Sequence, residues 1–249
     1  GEAWGQTLGE EDFPVPGGAK VYSNNRCTGV VVYSNTNEQL DADGHGYGNG
    51  FCVYCDAYQP AELVDGYYQI GNAGQLYWFA KQVNSGQTTI NGKLTANITV
   101  NTNVLAENGT LNKGSFRDWK PIGNGSQEYT GTFDGNGKTV SGLYFNNTSA
   151  NYVGLFGYVN GGTVENVGVI VSYLYGDSYV GGVVGYNNGG TVSNCYNTGA
   201  VSGIVQVGGV VGYNTGSGTV SGCCNTGTVS GTANNNVGGV VGHNTSSGT

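Results

Sequence analysis

The 249 residues of this chain predict an all-β fold, a parallel solenoid of stacked coils, and two observations carry that prediction. The first is a repeat. One phrase recurs as YVGGVVGYNNGGTVSNCYNTGAVSG from Tyr179, QVGGVVGYNTGSGTVSGCCNTGTVSG from Gln206 and NVGGVVGHNTSSGT from Asn236. Its VVG triplets close at Gly185, Gly212 and Gly242, 27 and 30 residues apart, and its GTV triplets place Val164, Val192 and Val220 28 residues apart each time. A unit of about 28 residues cannot bury its own apolar face, so neighbouring units must stack to do it. The second is residue type. The apolar residues of each repeat are mostly Val, which favours strands, and Gly punctuates every few positions, where a helix would be weakened. Glycine is 48 of the 249 residues, a share that also suits a flexible linker, but the regular Val spacing argues against one. An all-β sandwich or barrel is the competing architecture.

Within a repeat, the runs VGGVVG, GTVSN and GAVSG are bounded by Asn, Gly, Thr and Ser, which form turns. Three short strands per repeat predict a triangular coil. Coils about 4.8 Å apart place equivalent residues above one another: Asn197 over Asn225, Thr198 over Thr226, Cys195 over Cys223 and Tyr186 over Tyr213. Stacked Asn side chains can exchange amide hydrogen bonds along the column. A degenerate earlier copy, YVGLFGYVNGGTVENVGV from Tyr152 to Val169, extends the repeats over about 150–249. Gly248-Thr249 aligns with Gly218-Thr219 in mid-repeat, so the chain reads as an excised piece of a longer protein. Its open last coil predicts end-to-end self-association.

Residues 1–63 differ in texture. They hold three of the four prolines and half of the six cysteines, without the repeat. The opening GEAWG reads as a mature or trimmed terminus. In DADGHGYGNGFCVYC, Asp41 and Asp43 followed by Gly46 resemble the start of a calcium loop, but His45 takes the fifth position and Cys52 replaces the terminal Glu. Cys52 and Cys55, preceded by Gly50, have the spacing of a knuckle that presents two thiolates to one metal. With Cys27 and His45 they would make a closed Cys3His site for one structural zinc. A disulfide involving Cys27, or free thiols, are the competing readings. Either staple would help a small polar segment with little core. A redox CxxC is disfavoured because Asp56-Ala57-Tyr58-Gln59-Pro60 is a poor helix start.

The β-helix region is expected over 64–249. Asn72 and Gln75 form a capping-box pattern, and Leu76, Phe79, Ala80 and Val83 line one helical face until Asn84-Ser-Gly86 stops it. A helix over about 73–84 suits the task of covering the first coil, where core and strand edges would be open; a surface helix packed elsewhere is the alternative. Early coils follow over about 93–147, with KLTANITVNTNVL from Lys93, PIG at Pro121 and YTGTFDGNGKTVSGLYFNN from Tyr129. Asp134-Gly135-Asn136-Gly137 marks a tight turn.

These phrases carry a family resemblance. YVGGVVGYNNGGTVSNCYNTGAVSG and VGGVVGYNTGSGTVSGCCNTGTVSG resemble the GLUG-motif repeat of large bacterial surface proteins. IGNAGQLYWFAKQVN, WKPIGN and YTGTFDGNGKTVSGLYFNN resemble the segment that precedes such repeats in proteins of gut anaerobes, and NGFCVYCDAYQPA resembles a short module upstream of it. The resemblance implies a right-handed parallel β-helix in a secreted or wall-associated, adhesin-like protein, and it brings no catalytic residues.

Function is less legible. With 8 Lys+Arg and a net charge of -8, no basic face for nucleic acid is available. No apolar run is long enough for a transmembrane helix. From Ser178 to Thr249 there is no Asp, Glu, Lys or Arg, which leaves little for acid–base chemistry. A polysaccharide-cleaving β-helix would need two carboxyl groups about 5–10 Å apart. Glu107, Asp118, Glu128, Asp134, Glu165 and Asp177 form no evident pair, with Glu165 and Asp177 expected on different sides. Tyr173, Tyr175, Tyr179, Tyr186, Tyr196 and Tyr213 could line one side and stack on sugar rings of an extracellular or matrix glycan, with Tyr186 and Tyr213 at the centre. Cys195 and Cys223 read as small buried side chains. The expectation is a non-catalytic segment of a secreted or cell-surface protein, adhesin-like or a stalk, with carbohydrate binding as the alternative.

Overall fold

The computed structural model describes residues 4–8, 15–16, 18–232, 236–245 and 248–249, so the first three residues of GEAWG lie outside it. The chain forms two compact units, Gly1–Gln59 and Pro60–Thr249.

The second unit is a parallel β-solenoid. Its longest ladder pairs Tyr67–Ile70, Asn91–Leu94, Thr132–Asp134, Thr163–Glu165, Thr191–Ser193 and Thr219–Ser221 in that order, all parallel, which makes about six turns. Glu62–Val64 closes the early edge of this sheet as an antiparallel strand. The coil that starts at Ser178 carries five short strands, not the three expected: Ser178–Gly181, Val184–Asn188, Thr191–Ser193, Tyr196–Asn197 and Ala200–Gly203. The physical reason is that corners here need little more than one residue in the left-handed region. Gly189 (φ 64°) and Asn194 (φ 53°) each turn the chain between two strands, and Tyr179 (φ 57°) bends it within Ser178–Gly181, so the coil is divided more finely than composition suggested.

The interior changes along the axis. In the early coils Trp119, Tyr129, Phe133 and Phe156 are fully buried, with Phe133 and Tyr129 each 5.1 Å from the Phe156 ring. Later coils replace these rings with valine: Phe133, Val164 and Val192 are register partners, each wholly buried. Burying each such side chain contributes about 1.5–3 kcal/mol. Two amide columns then enter the core. Asn187 Nδ2 donates to Asn214 Oδ1 (2.8 Å), and Asn214 Nδ2 to Asn244 Oδ1 (2.8 Å). Asn197 Nδ2 donates to Asn225 Oδ1 at 2.8 Å, the stacking expected from the repeat.

The helix is Ala73–Asn84. Asn72 caps it by accepting from Gln75 N–H at 2.9 Å, while the Gln75 side chain reaches past the cap to accept from Gly71 N–H at 2.8 Å. It does not precede the first strand of the ladder; it lies in the chain between the first two. Gly92 explains its place. Gly92 is the register partner of Phe133, and a Cβ there would stand 2.9 Å from both the Phe133 and Phe79 rings. This coil has no inward side chain of its own at that position, and Phe79 of the helix fills the space, 5.8 Å from Phe133 and 6.2 Å from Tyr129. Leu76, Phe79 and Val83 are fully buried, so the helix covers the early end of the core.

The first unit has no comparable core. It contains the hairpins Tyr22–Asn25 with Val31–Ser34 and Tyr47–Gly48 with Phe51–Cys52. Among its described residues, Cys52 is the one buried apolar side chain, and Val30, Val31, Tyr33 and Val53 are exposed.

Candidate functional site

Strands of the VVGYN phrase turn Val184 and Asn187 inward and Tyr186 outward. Register then builds a column: Tyr158, Tyr186, Tyr213 and His243 are successive partners, with ring centroids 4.6, 4.9 and 5.0 Å apart. A second column stands beside it at the coil corner. Tyr152 (φ 62°) and Tyr179 (φ 57°) both hold left-handed backbone, and their rings stack 5.2 Å apart at 13°. Such backbone costs a bulky residue about 1–3 kcal/mol, so the surrounding coil contacts must hold it. The columns interlock, with Tyr152 5.4 Å from Tyr158 and Tyr179 5.0 Å from Tyr186. All five tyrosines are half-buried. Burial, with the neighbouring tyrosines, pushes the Tyr186 hydroxyl up to about 12, so it is a neutral donor at physiological pH. In the next coil Gln206 (φ 50°) takes the corner position and ends the second column.

The array keeps Tyr179, Tyr186 and Tyr213 of the expected set and corrects the rest. Tyr173 and Tyr175 lie in the ladder with Tyr144–Asn146 and Ala200–Gly203, and Tyr196 pairs with Gly168 and Cys224. Tyr152 and Tyr158 went unnoticed, although the alignment of YVGLFGY with YVGGVVGY carried the signal. Beside Tyr152 lies a concavity of about 220 Å³ lined also by Lys120, Asn124, Phe145 and Asn151. A second, of about 340 Å³, shares Lys120 and Phe145 with it.

The solenoid places two carboxylates together where sequence spacing hid it. Asp134 and Glu165 are register partners on adjacent coils. Asp134 is also bonded by Asn136 N–H (2.7 Å), Asn166 Nδ2 (3.2 Å) and Lys93 Nζ (3.2 Å). Partial burial pushes its pKa up, but these donors outweigh that and hold the carboxyl below its ordinary range.

In the first unit, Cys27, Cys52 and Cys55 converge. Cys27 Sγ lies 3.6 Å from Cys52 Sγ and 3.2 Å from Cys55 Sγ, and all three sulfurs fall within 4.8 Å of one another. Turns set this up. Asn49 (φ 49°) and Gly50 (φ 78°) fold the hairpin that presents Cys52, and Cys27 N–H donates to Gly44 O at 2.9 Å. Tyr54 N–H donates to Cys52 Sγ at 3.4 Å. His45, expected as the fourth ligand, is not in this cluster: its Nδ1 lies 3.1 Å from Asp41 Oδ2. Asp41 Oδ1 also accepts from Asp43 N–H (3.0 Å) and His45 N–H (2.8 Å), which makes this loop a self-bonded turn. Cys195 is fully buried and Cys223 half-buried, consistent with packing roles.

Residues 176–202 match the family described as the GLUG motif, and the chain carries that motif within its repeats. A protein of Evansella cellulosilytica, provisionally named a Gly-rich membrane protein, is 37% identical over 57 residues, which are 22% of this chain and 7% of that protein. Halomucin of Haloquadratum walsbyi is 38% identical over 77 residues, 30% of this chain and 1% of halomucin. The chain thus spans a small fraction of the length of the relatives it matches. Among solved structures, a Bacteroides ovatus protein provisionally named an immunoglobulin A1 protease superposes with a TM-score of 0.52 at 22% identity, covering 74% of this chain and 64% of that one. That likeness concerns the fold. Among the described residues no helix is long and apolar enough to cross a membrane.

Proposed function

We propose that this chain is a non-catalytic segment of a secreted or cell-surface protein, in which the solenoid serves as a rigid scaffold and presents an adhesive aromatic face. The GLUG motif and the names of the relatives support the surface-protein part of this reading. The observation that carries the adhesive part is the two-column array of Tyr152, Tyr158, Tyr179, Tyr186 and Tyr213, a contiguous ring surface on one side of a stacked coil. Aromatic rings offer flat apolar area with a polar tip, which suits the faces and hydroxyls of neutral sugars, and the adjoining amide-lined concavity adds donors and acceptors. Asp134, tied by Lys93 and two amide groups, is placed as a structural anchor, so glycosidic cleavage is not assigned to the Asp134–Glu165 pair.

The test is a glycan array probed with the chain and with Tyr186→Ala. Binding to neutral oligosaccharides that falls at least tenfold in the variant, with an unchanged melting temperature, supports the adhesive face. Equal binding by both proteins, or none by either, leaves the scaffold role alone. Oligosaccharide products in the same incubations would overturn the non-catalytic assignment.

A further inference from the structure

We propose that Cys27, Cys52 and Cys55 together bind one zinc ion as the structural staple of the first unit, with a non-thiolate donor such as water in the fourth position. Three independent features lead there. The first is geometry. With Zn–S distances near 2.3 Å, sulfurs around a tetrahedral zinc stand about 3.8 Å apart. The Cys27 sulfur is 3.6 and 3.2 Å from its two partners, and all three lie within 4.8 Å. Small shifts on metal entry reach the required spacing.

The second is arithmetic. A disulfide consumes two thiols and strands the third beside it, whereas one metal uses all three. The third is the energetic need of this unit. Cys52 is its one buried apolar side chain among the described residues, so burial alone supplies little stability. Metal binding contributes directly to folding in such modules.

The loops around the sulfurs are already braced. Cys27 N–H is held by Gly44 O and Cys52 Sγ accepts from Tyr54 N–H. Arg26, adjacent to Cys27, pairs with Glu38 and lies 4.3 Å over the Tyr54 ring, tying the Cys27 turn to the Cys52–Cys55 knuckle. In this arrangement His45 stands outside the sulfur cluster, its Nδ1 3.1 Å from Asp41 Oδ2. Binding releases the thiol protons to solvent, so three thiols and Zn²⁺ yield a tris-thiolate complex and three protons.

The experiment uses the full chain purified under reducing, anaerobic conditions. Elemental analysis should find one zinc per chain, and cobalt substitution should give a thiolate charge-transfer band of three-sulfur intensity. Cys55→Ser should weaken metal binding at least tenfold. His45→Ala and Cys224→Ala should retain the metal and the full band. A zinc-free chain that gives no cobalt band would overturn the site, as would a disulfide among these three cysteines in the anaerobic sample. Loss of the band in His45→Ala, with Cys224→Ala unchanged, would overturn the three-sulfur assignment. Because the cobalt signal is read on the unaltered chain, a variant that fails to fold does not remove the test.

Discussion

The coils before Asp177 and those after it meet the same demand, burying one side of a thin stack, with different means. The early coils use unlike, bulky parts: Trp119, Tyr129, Phe133 and Phe156 inside, the inserted ring of Phe79, and the Lys93–Asp134 ion pair. The late coils use like parts: Val192 under Val220, Asn187 under Asn214 under Asn244, and no charged side chain from Ser178 onward. A jigsaw of rings has one solution, so the early coils fix where everything sits. A column of identical rungs is satisfied by a shift of a whole repeat, so its placement must be inherited from its neighbour. The junction shows the handover. Asn187 is the register partner of Val159, which offers no donor, and Asn187 Oδ1 is left without a partner at the foot of the column.

The largest test of that contrast is a pair of truncations. Phe133→Ala should cost about 3–5 kcal/mol, and Val192→Ala, one rung of many, about 2 kcal/mol. Denaturant unfolding measures both, and equal costs would remove the distinction. Next is Asn214→Ala, which strands one N–H of the Asn187 amide, whose bond to Gly190 O remains, together with the Gly218 and Asn244 carbonyl oxygens. It should cost about 1–3 kcal/mol for each stranded group that stays buried. A change near zero would mean the amide column directs register without adding stability. Smaller still is Val159→Asn, which gives Asn187 a donor and should stay within about 1 kcal/mol of the parent. Val164→Asn, whose neighbours Phe133 and Val192 cannot accept it, should cost about 2–5 kcal/mol. The smallest effect is on pH. Asp134 has a folded pKa below its unfolded one, so its contribution is present above about pH 4 and is lost as pH falls through the folded value. Asp134→Asn should flatten that acid limb by no more than about 1 kcal/mol in thermal scans across pH 2–6.

How much the sequence revealed follows the same division. The late coils were legible because period and register coincide: Val164, Val192 and Val220 are spaced 28 apart and stack as counted. The helix was legible from local chemistry, the Asn72 cap and the Leu76–Val83 stripe. The early coils were not, because long excursions separate register partners; Asn91 and Thr132 meet although they are 41 residues apart. A gap of 31 residues hid the Asp134–Glu165 pairing. The five-strand coil escaped because the sequence does not announce that single residues such as Asn194 will turn it, or that Tyr152 and Tyr179 will hold left-handed backbone. At the thiol cluster, spacing identified the CxxC and proximity in sequence suggested His45, but neither of its ring nitrogens falls among the three sulfurs.

The missing charges have one more consequence. The last Lys or Arg of the chain is Lys138, so Thr139 to Thr249 offers no bond to a trypsin-like protease, and beyond Asp177 none to an enzyme that reads Asp or Glu. Folded proteins usually resist digestion because the cleavable bonds are hidden, and they lose that shield whenever they open. Here the resistance is written into residue choice, and it persists when the late coils fray, at any temperature and in any conformation.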